Sequence, residues 1–207
     1  MADALQRLVD ESEIRRVRRL WAFARDQGDW DTVATLFHPE ATVSISWYAG
    51  PVSGFIENSR KMFGQARPET RSKHWFGNDR LTLNGTRATL ETDVEVRGRD
   101  LIDGHLFDFR YDGRFFDRFE IRDGAWKIAQ WTCLYDSDRL DPVVPGSVPA
   151  SFFASLKLTG VESRVAYMKL RQEKTGRPAA PYITIGGTED EAKLKRDAAA
   201  WLRQGAS

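Results

Sequence analysis

Two dipeptides, Asn84-Gly85 and Asp123-Gly124, restrict the fold more than any other feature of the sequence. Such pairs favour the positive φ values that a two-residue β-hairpin turn requires. Each pair lies between long runs rich in aromatic and β-branched residues, which predict extended strands. The predicted strands are residues 72–83 and 86–97 around the first turn, and residues 106–122 and 125–135 around the second.

Helical patterns dominate the chain before these hairpins. Apolar residues recur every three or four positions over 5–27, and Asp29 is placed to cap a second helix that ends at His38-Pro39. A third helix is predicted over 55–64 with Ser53 as its cap, after a strand over 41–47. Three helices followed by antiparallel strands predict an α+β fold, a cone in which the helices pack on a curved antiparallel sheet.

A change of pattern near residue 139 predicts two parts. Residues 1–138 form the cone, and residues 139–207 begin with a proline-spaced connector over 142–149. Helices are expected beyond it over 151–156, 161–175 and 188–202, the last opened by a Thr188-x-x-Glu191 capping box. They carry too few apolar residues for a core of their own, so we expect them to pack on the cone near the pocket mouth or on a second subunit.

Charge and composition narrow the classes of partner. The chain has 31 basic and 30 acidic residues, which predicts no binding to nucleic acid or to anionic membranes. A secretory leader and long apolar runs are not evident, so a cytoplasmic location is expected. Cys133 is the single cysteine, and it lies in an apolar strand where a buried role is expected. We find no glycine-rich nucleotide motif and no metal-ligand spacing, and therefore predict neither cofactor nor metal.

One stretch, Ser72-Lys73-His74-Trp75-Phe76-Gly77-Asn78, places a histidine among aromatic residues at the start of a predicted strand. A histidine whose ring contacts a buried carboxylate can act as a general base. Asp26, at the end of the first predicted helix, is the proposed partner. Without such a partner, a hydrogen-bonded core histidine explains the same pattern.

In this order the residues resemble the nuclear-transport-factor-2-like superfamily, in its SnoaL-like branch, which includes scytalone dehydratase and hexachlorocyclohexane dehydrochlorinase. The resemblance covers roughly residues 5–138. It rests on Arg25-Asp26 with Asp29-Trp30-Asp31, on the stretch around His74, and on residues 122–128 as a fold signature.

The resemblance implies that Asp26 and His74 form a catalytic dyad. Arg25 stands where scytalone dehydratase has a tyrosine, and Val96, Arg97 or Gly98 where it has a second histidine, so a substrate other than scytalone is expected. The expected activity is a cofactor-independent lyase that eliminates water, halide or a small carbonyl such as formaldehyde from an apolar, aromatic molecule. Isomerisation, epoxide opening, or a non-catalytic binding or assembly role are the alternatives, and a homo-oligomer, dimer or trimer, is expected.

Further residues are candidates for substrate binding. Tyr48 could polarise a substrate oxygen or be an exposed residue at a strand end, and Asn78 could orient a ligand or bond the backbone. The other candidates are Trp47, Phe76, Arg97, Phe115 and Trp131. Core packing would also explain the aromatic residues among them. We expect Arg15, Arg16, Arg18 and Arg19 to form a solvated helix face, and His38 and His105 to lie on the surface.

Overall fold

Helices precede and follow a set of long strands in the computed structural model of the protein, which describes residues 2–66 and 70–206. The α-helices in these residues are α1 (Ala2–Gln27), α2 (Trp30–Thr35), α3 (Val52–Gly64), α4 (Ala166–Lys174) and α5 (Glu189–Arg203). The strands are β1 (Phe37–Ile45), β2 (Tyr48–Pro51), β3 (Ser72–Asn84), β4 (Arg87–Ile102), β5 (His105–Arg122), β6 (Ala125–Pro142) and β7 (Thr184–Ile185).

Tight turns join the long strands. Asp123–Gly124 forms the turn between β5 and β6, with φ values of 50° and 76° that match a mirror-image turn. In the first predicted hairpin Asn84 still pairs with Arg87, so the turn shifts by one residue, and Gly85 has a φ of 56°. A third hairpin turns at Asp103–Gly104, because β4 continues to Ile102, five residues beyond its predicted end, and β5 begins at His105, one residue before its predicted start. The polar run at the end of β4 had hidden this extension.

These strands form one sheet in the order β2-β1-β6-β5-β4-β3, and β7 also pairs with β6. Pairing is antiparallel from β3 to β6, as predicted, whereas β1 and β7 run parallel to β6. The α+β fold is therefore confirmed with a mixed sheet. Register shifts interrupt β1, β3 and the β5–β6 pair, and such bulges bend strands.

The N-terminal helices cover one face of this sheet. α1 buries Ile14, Val17 and Trp21, and Asp29 caps α2 as predicted by accepting a 3.1 Å bond from the Thr32 N–H. Some predicted ends were wrong. β1 begins at Phe37, whose backbone pairs with β6, and the shift after it accommodates Pro39. α3 begins directly after the extended residue Pro51, which replaces Ser53 at the cap.

The C-terminal extension packs on the core, one of the two predicted arrangements. Short 3-10 turns lie at Ala150–Phe153 and Val161–Val165, where longer helices were expected. Phe152 stacks on Phe107 of β5 with ring centres 4.8 Å apart, and Met168 of α4 is buried. β6 itself continues to Pro142, past the predicted boundary at residue 138.

The predicted capping box at α5 is not formed, although α5 starts where expected. The Thr188 hydroxyl donates to the Ile185 carbonyl rather than capping the helix. Glu191 accepts from the Gly187 N–H at 2.6 Å and binds Arg114 of β5. The carboxylate that would complete the box instead fastens α5 to the outer sheet face.

Candidate active site

Asp26 and His74 meet at the junction of α1 and β3. The Nδ1 atom of His74 lies 2.7 Å from Oδ1 of Asp26, and the His74 backbone N–H donates to Oδ2 at 2.9 Å. Asp26 can face the strand because it lies in the last turn of α1, and His74 is the third residue of β3. Both side chains are almost fully buried. The contact on which the dyad hypothesis depends is therefore present.

Ionisation of the two groups defines the tautomer of the histidine. Burial raises the pKa of Asp26, but bonds from the His74 ring and backbone and the charge of Arg25 outweigh it, so this pKa is lowered. An ionised Asp26 accepts hydrogen bonds only, and Nδ1 of His74 must therefore carry the proton of a neutral ring. Nε2 of His74 then holds a free lone pair.

Burial lowers the pKa of His74 to about 4, since desolvation and the charges of Arg25 and Arg18 outweigh the bond and the charge of Asp26. A carboxylate partner alone would raise the basicity of the ring. The surroundings reverse that effect. His74 is thus an uncharged imidazole at neutral pH.

Aromatic rings surround the histidine. Trp21 contacts the His74 ring edge-on with centres 5.1 Å apart, and Phe115 lies at 6.1 Å. His74 lines an internal cavity of about 100 Å³. Its aromatic wall includes Trp21, Trp47, Phe55, Phe109, Tyr111, Phe115, Trp131 and Tyr135. Such a wall favours an apolar, flat ligand.

A buried ion pair lies beneath these rings. Arg18 of α1 is 1% exposed and donates from Nε to Asp117 of β5, itself 0% exposed, at 2.8 Å. The Arg18 guanidinium carbon also lies 4.9 to 5.1 Å from the ring centres of Trp21, Phe115 and Trp131. The prediction that Arg18 belongs to a solvated face was wrong. His38 is likewise buried, with Nε2 at 3.0 Å from the Glu120 carbonyl oxygen.

Three predicted binding residues, Trp47, Phe115 and Trp131, line the cavity. Phe76 does not, because it packs edge-on against Phe115 from behind, with centres 5.7 Å apart. Tyr48 also lies outside this wall, and its hydroxyl is used within its own turn by donating to the Pro51 carbonyl at 2.6 Å.

Asn78 and Arg97 do not line this cavity. Gly77 and Asn78 oppose the single residue Asp93 in a bulge of β3, which breaks the alternation that would have placed Asn78 on the inner face. Asn78 is exposed and does not line the cavity. Arg97 follows Val96, which lines the cavity, and it pairs with Glu95. Arg97 instead lines a second pocket, of about 670 Å³, together with Asp26 and His74. The bulge explains the position of Asn78.

The C-terminal extension supplies cavity residues that the sequence analysis did not identify. Met168, Arg171 and Gln172 of α4 line the cavity, together with Arg177. The three α4 positions follow the i, i+3, i+4 spacing of one helix face. That spacing was the available signal, but two of the residues are polar, and nothing local marks them as buried.

Other chemistries have little support in the described ranges 2–66 and 70–206. No cluster of three or more His, Cys, Asp or Glu side chains there could hold a metal ion. Burial raises the pKa of Cys133, which also lines the cavity, to about 12, so its thiol stays protonated. A helix long and apolar enough to cross a membrane is not found among the described residues.

Solved structures share this fold. A putative scytalone dehydratase from Novosphingobium aromaticivorans is 20% identical with a TM-score of 0.58, over 72% of this chain and 97% of that protein. Hexachlorocyclohexane dehydrochlorinase LinA-type3 from Novosphingobium barchaimii is 18% identical with a TM-score of 0.56, over 70% and 99%. At these identities the likeness concerns the fold alone.

Sequence relatives come from fungi. An uncharacterized protein of Emericella nidulans is 30% identical over 69% of this chain and 62% of its own length. Pea pathogenicity protein 2 of Fusarium vanettenii is 29% identical over 70% of this chain and 61% of its own length. The chain thus spans about three fifths of these two relatives. Residues 6–132 match the SnoaL-like domain, and the protein therefore belongs to the SnoaL-like family.

Proposed function

We propose that the protein is a cofactor-independent lyase in which His74 removes a proton from an apolar, aromatic substrate. The observation that carries the proposal is the 2.7 Å bond from the His74 ring to Asp26 within an aromatic cavity. This bond leaves the opposite ring nitrogen, Nε2, available to a ligand. A histidine that served packing alone would not need an ionised, buried carboxylate at this position.

Proton transfer to Nε2 would convert His74 into an imidazolium that Asp26 stabilises by charge and hydrogen bonding. The electron pair left on the substrate expels a leaving group from the neighbouring carbon. Water or halide would leave after proton abstraction from carbon. A small carbonyl such as formaldehyde would leave after abstraction from a hydroxyl group. The proton on His74 can then return to a departing hydroxide or to the carbanion.

The low pKa of His74 limits the substrates that it can activate. A weak base removes protons that a carbonyl or an aromatic ring has already made acidic, while its conjugate acid protonates a leaving group readily. General base catalysis contributes about 10²- to 10⁴-fold. Fixed positive charges would stabilise the developing negative charge, because Arg25 lines the cavity and Arg18 is buried beneath its aromatic wall.

The comparisons support this class of reaction without assigning it. Proteins of the same fold carry the names dehydratase and dehydrochlorinase, and another is the β subunit of a putative aromatic-ring-hydroxylating dioxygenase. A fold with such varied members does not determine chemistry. The choice between lyase, isomerase and binding subunit therefore requires a direct assay.

The test is incubation of the protein with hydroxylated, halogenated and hydroxymethyl aromatic compounds without added cofactor, with products separated by chromatography. We expect the wild type and Asn78→Ala, a control outside the cavity, to release water, halide or formaldehyde from the same compound. His74→Ala should lose about 10²- to 10⁴-fold in rate. Equal rates for His74→Ala and wild type would exclude His74 as the base, and rearranged products of unchanged mass would indicate an isomerase.

A further inference from the structure

Three arginines stand where the internal cavity opens outward. A vestibule of about 320 Å³ adjoins the cavity between the ends of α1 and α3, the start of β3 and the C-terminal extension. The residues that line both spaces are Arg25, Trp47, Ser72, Phe109, Arg171 and Arg177. We name Arg25, Arg171 and Arg177 the arginine collar. A ligand that reaches His74 from the vestibule would pass these three side chains.

The positive charge of the collar exceeds its local compensation. Arg171 and Arg177 donate to the same oxygen of a single carboxylate, Asp100, at 2.7 and 3.1 Å. Arg25 donates to the Ser72 hydroxyl at 2.9 Å and reaches Asp26 only at 3.4 Å. Asp26 is already bound to His74. Three cations therefore face two carboxylates, one of which belongs to the dyad.

The same charges affect one another. Burial, together with the charges of Arg171 and Arg25, lowers the pKa of Arg177 to about 10 against the opposing effect of Asp100. The pKa of Arg25 is lowered by burial and by Arg171, against the effect of Asp26. Repulsion between neighbouring guanidinium groups is relieved when an anion binds between them.

Buried polar atoms next to the collar also lack partners. Nε of Arg171, Oε1 of Gln172 and Nε1 of Trp131 are buried without a hydrogen bond to any described residue. All three residues line the cavity. An unpaired buried polar group is unfavourable, so a ligand that brings polar atoms into the cavity would be favoured.

We infer that the arginine collar binds a carboxylate, and that the substrate is an aromatic acid. Guanidinium groups match the planar carboxylate and bind it through paired hydrogen bonds. The acid group would stay at the collar, while the ring enters the wall formed by Phe115 and Trp131 and presents its reactive position to His74. The substrate assignment rests on the proposed function, whereas binding of the acid does not require catalysis.

Benzoate and benzamide test the collar directly, because they share a shape and differ in charge. Binding is followed by quenching of tryptophan fluorescence, since Trp47 and Trp131 line the cavity. Arg177 is the suitable position to change, because its side chain is 39% exposed and because Asp100 keeps Arg171 as a partner when Arg177 is replaced. Arg177→Gln is compared with Arg177→Lys, with His74→Ala, and with the control Arg196→Gln on the exposed face of α5.

We expect the wild type and Arg196→Gln to bind benzoate about tenfold or more tightly than benzamide. His74→Ala frees Asp26 to compensate Arg25, so it should keep only part of this preference. Arg177→Gln should lose most of this preference while keeping its circular dichroism spectrum and thermal midpoint, and Arg177→Lys should retain part of it. Undetectable benzoate binding, equal affinity for the two probes, or an unchanged preference in Arg177→Gln would overturn the inference. Because benzoate binding requires no proton transfer, failure of the lyase proposal leaves this result unaffected.

Discussion

Replacing Asp117 by alanine would leave the Arg18 guanidinium buried without its counter-ion. Arg18 and Asp117 are 1% and 0% exposed and are joined by two hydrogen bonds. The contacts of Arg18 with Trp21, Phe115 and Trp131 leave it no path to solvent. A cation in this position cannot be rehydrated without disrupting the cavity wall.

The size of the loss follows from this burial. Removing one partner of a buried ion pair destabilises a protein by about 3–5 kcal/mol, a large part of the 5–15 kcal/mol typical of a folded domain. Replacing both partners by apolar residues is often neutral or stabilising. Asp117→Ala should therefore be much less stable than the double variant Arg18→Met/Asp117→Leu.

Urea denaturation followed by tryptophan fluorescence measures both variants. With a urea dependence of about 2–3 kcal/mol per molar, Asp117→Ala should lower the midpoint by about 1–2.5 M, and the double variant should recover most of this loss. Arg16→Met is the control, because the pair of Arg16 with Glu13 is exposed on α1 and such pairs contribute about 0.5 kcal/mol or less.

A loss below about 1 kcal/mol for Asp117→Ala would refute the reasoning, since it would mean that Arg18 reaches water. A double variant as unstable as Asp117→Ala would refute it in a different way. It would show that the loss comes from packing around these residues and not from an unpaired charge.

Three further predictions concern other parts of the structure. Asp26→Asn should reduce kcat/KM on an accepted compound by about 10²- to 10⁴-fold, because the amide cannot stabilise an imidazolium; steady-state kinetics measures this. Bonds from Arg114 lower the pKa of Glu191 to about 2 against the effect of burial. Glu191→Gln should therefore lower the free energy of unfolding by about 1–2 kcal/mol at pH 7. Urea denaturation should show a smaller loss as the pH falls from about 4.5 toward 2. A Cβ on Gly113 would lie 2.0 Å from a carbonyl oxygen of β6, so Gly113→Ala should lower stability by about 1–3 kcal/mol, whereas Gly64→Ala, with open space around it, should not.

Local patterns explain how much of the fold was predictable. The Asp123–Gly124 turn needs no distant partner, and Phe115 and Trp131 are buried, as either a pocket-wall or a core-packing role requires. The pairing of Asp26 with His74 followed from a resemblance in element order, since no local pattern joins residues 48 positions apart. These features depend on neighbouring residues or on the order of the elements.

Features created by distant partners were not predictable. Arg18 is buried because Asp117, 99 positions later, meets it across the core. Arg171 is buried because it donates a hydrogen bond to Asp100 and packs against the ring of Phe109, whose centre lies 3.7 Å from its guanidinium carbon. A polar side chain is expected to be exposed to solvent when only the sequence is known, because its distant partner is not evident. Asn78 lies outside the cavity for another reason, because a single bulge in β3 reversed the sheet face on which its side chain lies.

Nitrogen-15 NMR of the His74 ring tests the central claim most directly, because it reports the protonation of each ring nitrogen without a substrate. The chain contains three histidines, and His74→Ala identifies the signals of this one. We predict a proton on Nδ1, a bare Nε2 at pH 7, and no protonation until the pH approaches about 4. A proton on Nε2 in the neutral ring, or titration near the ordinary histidine pKa of 6.5, would contradict the account.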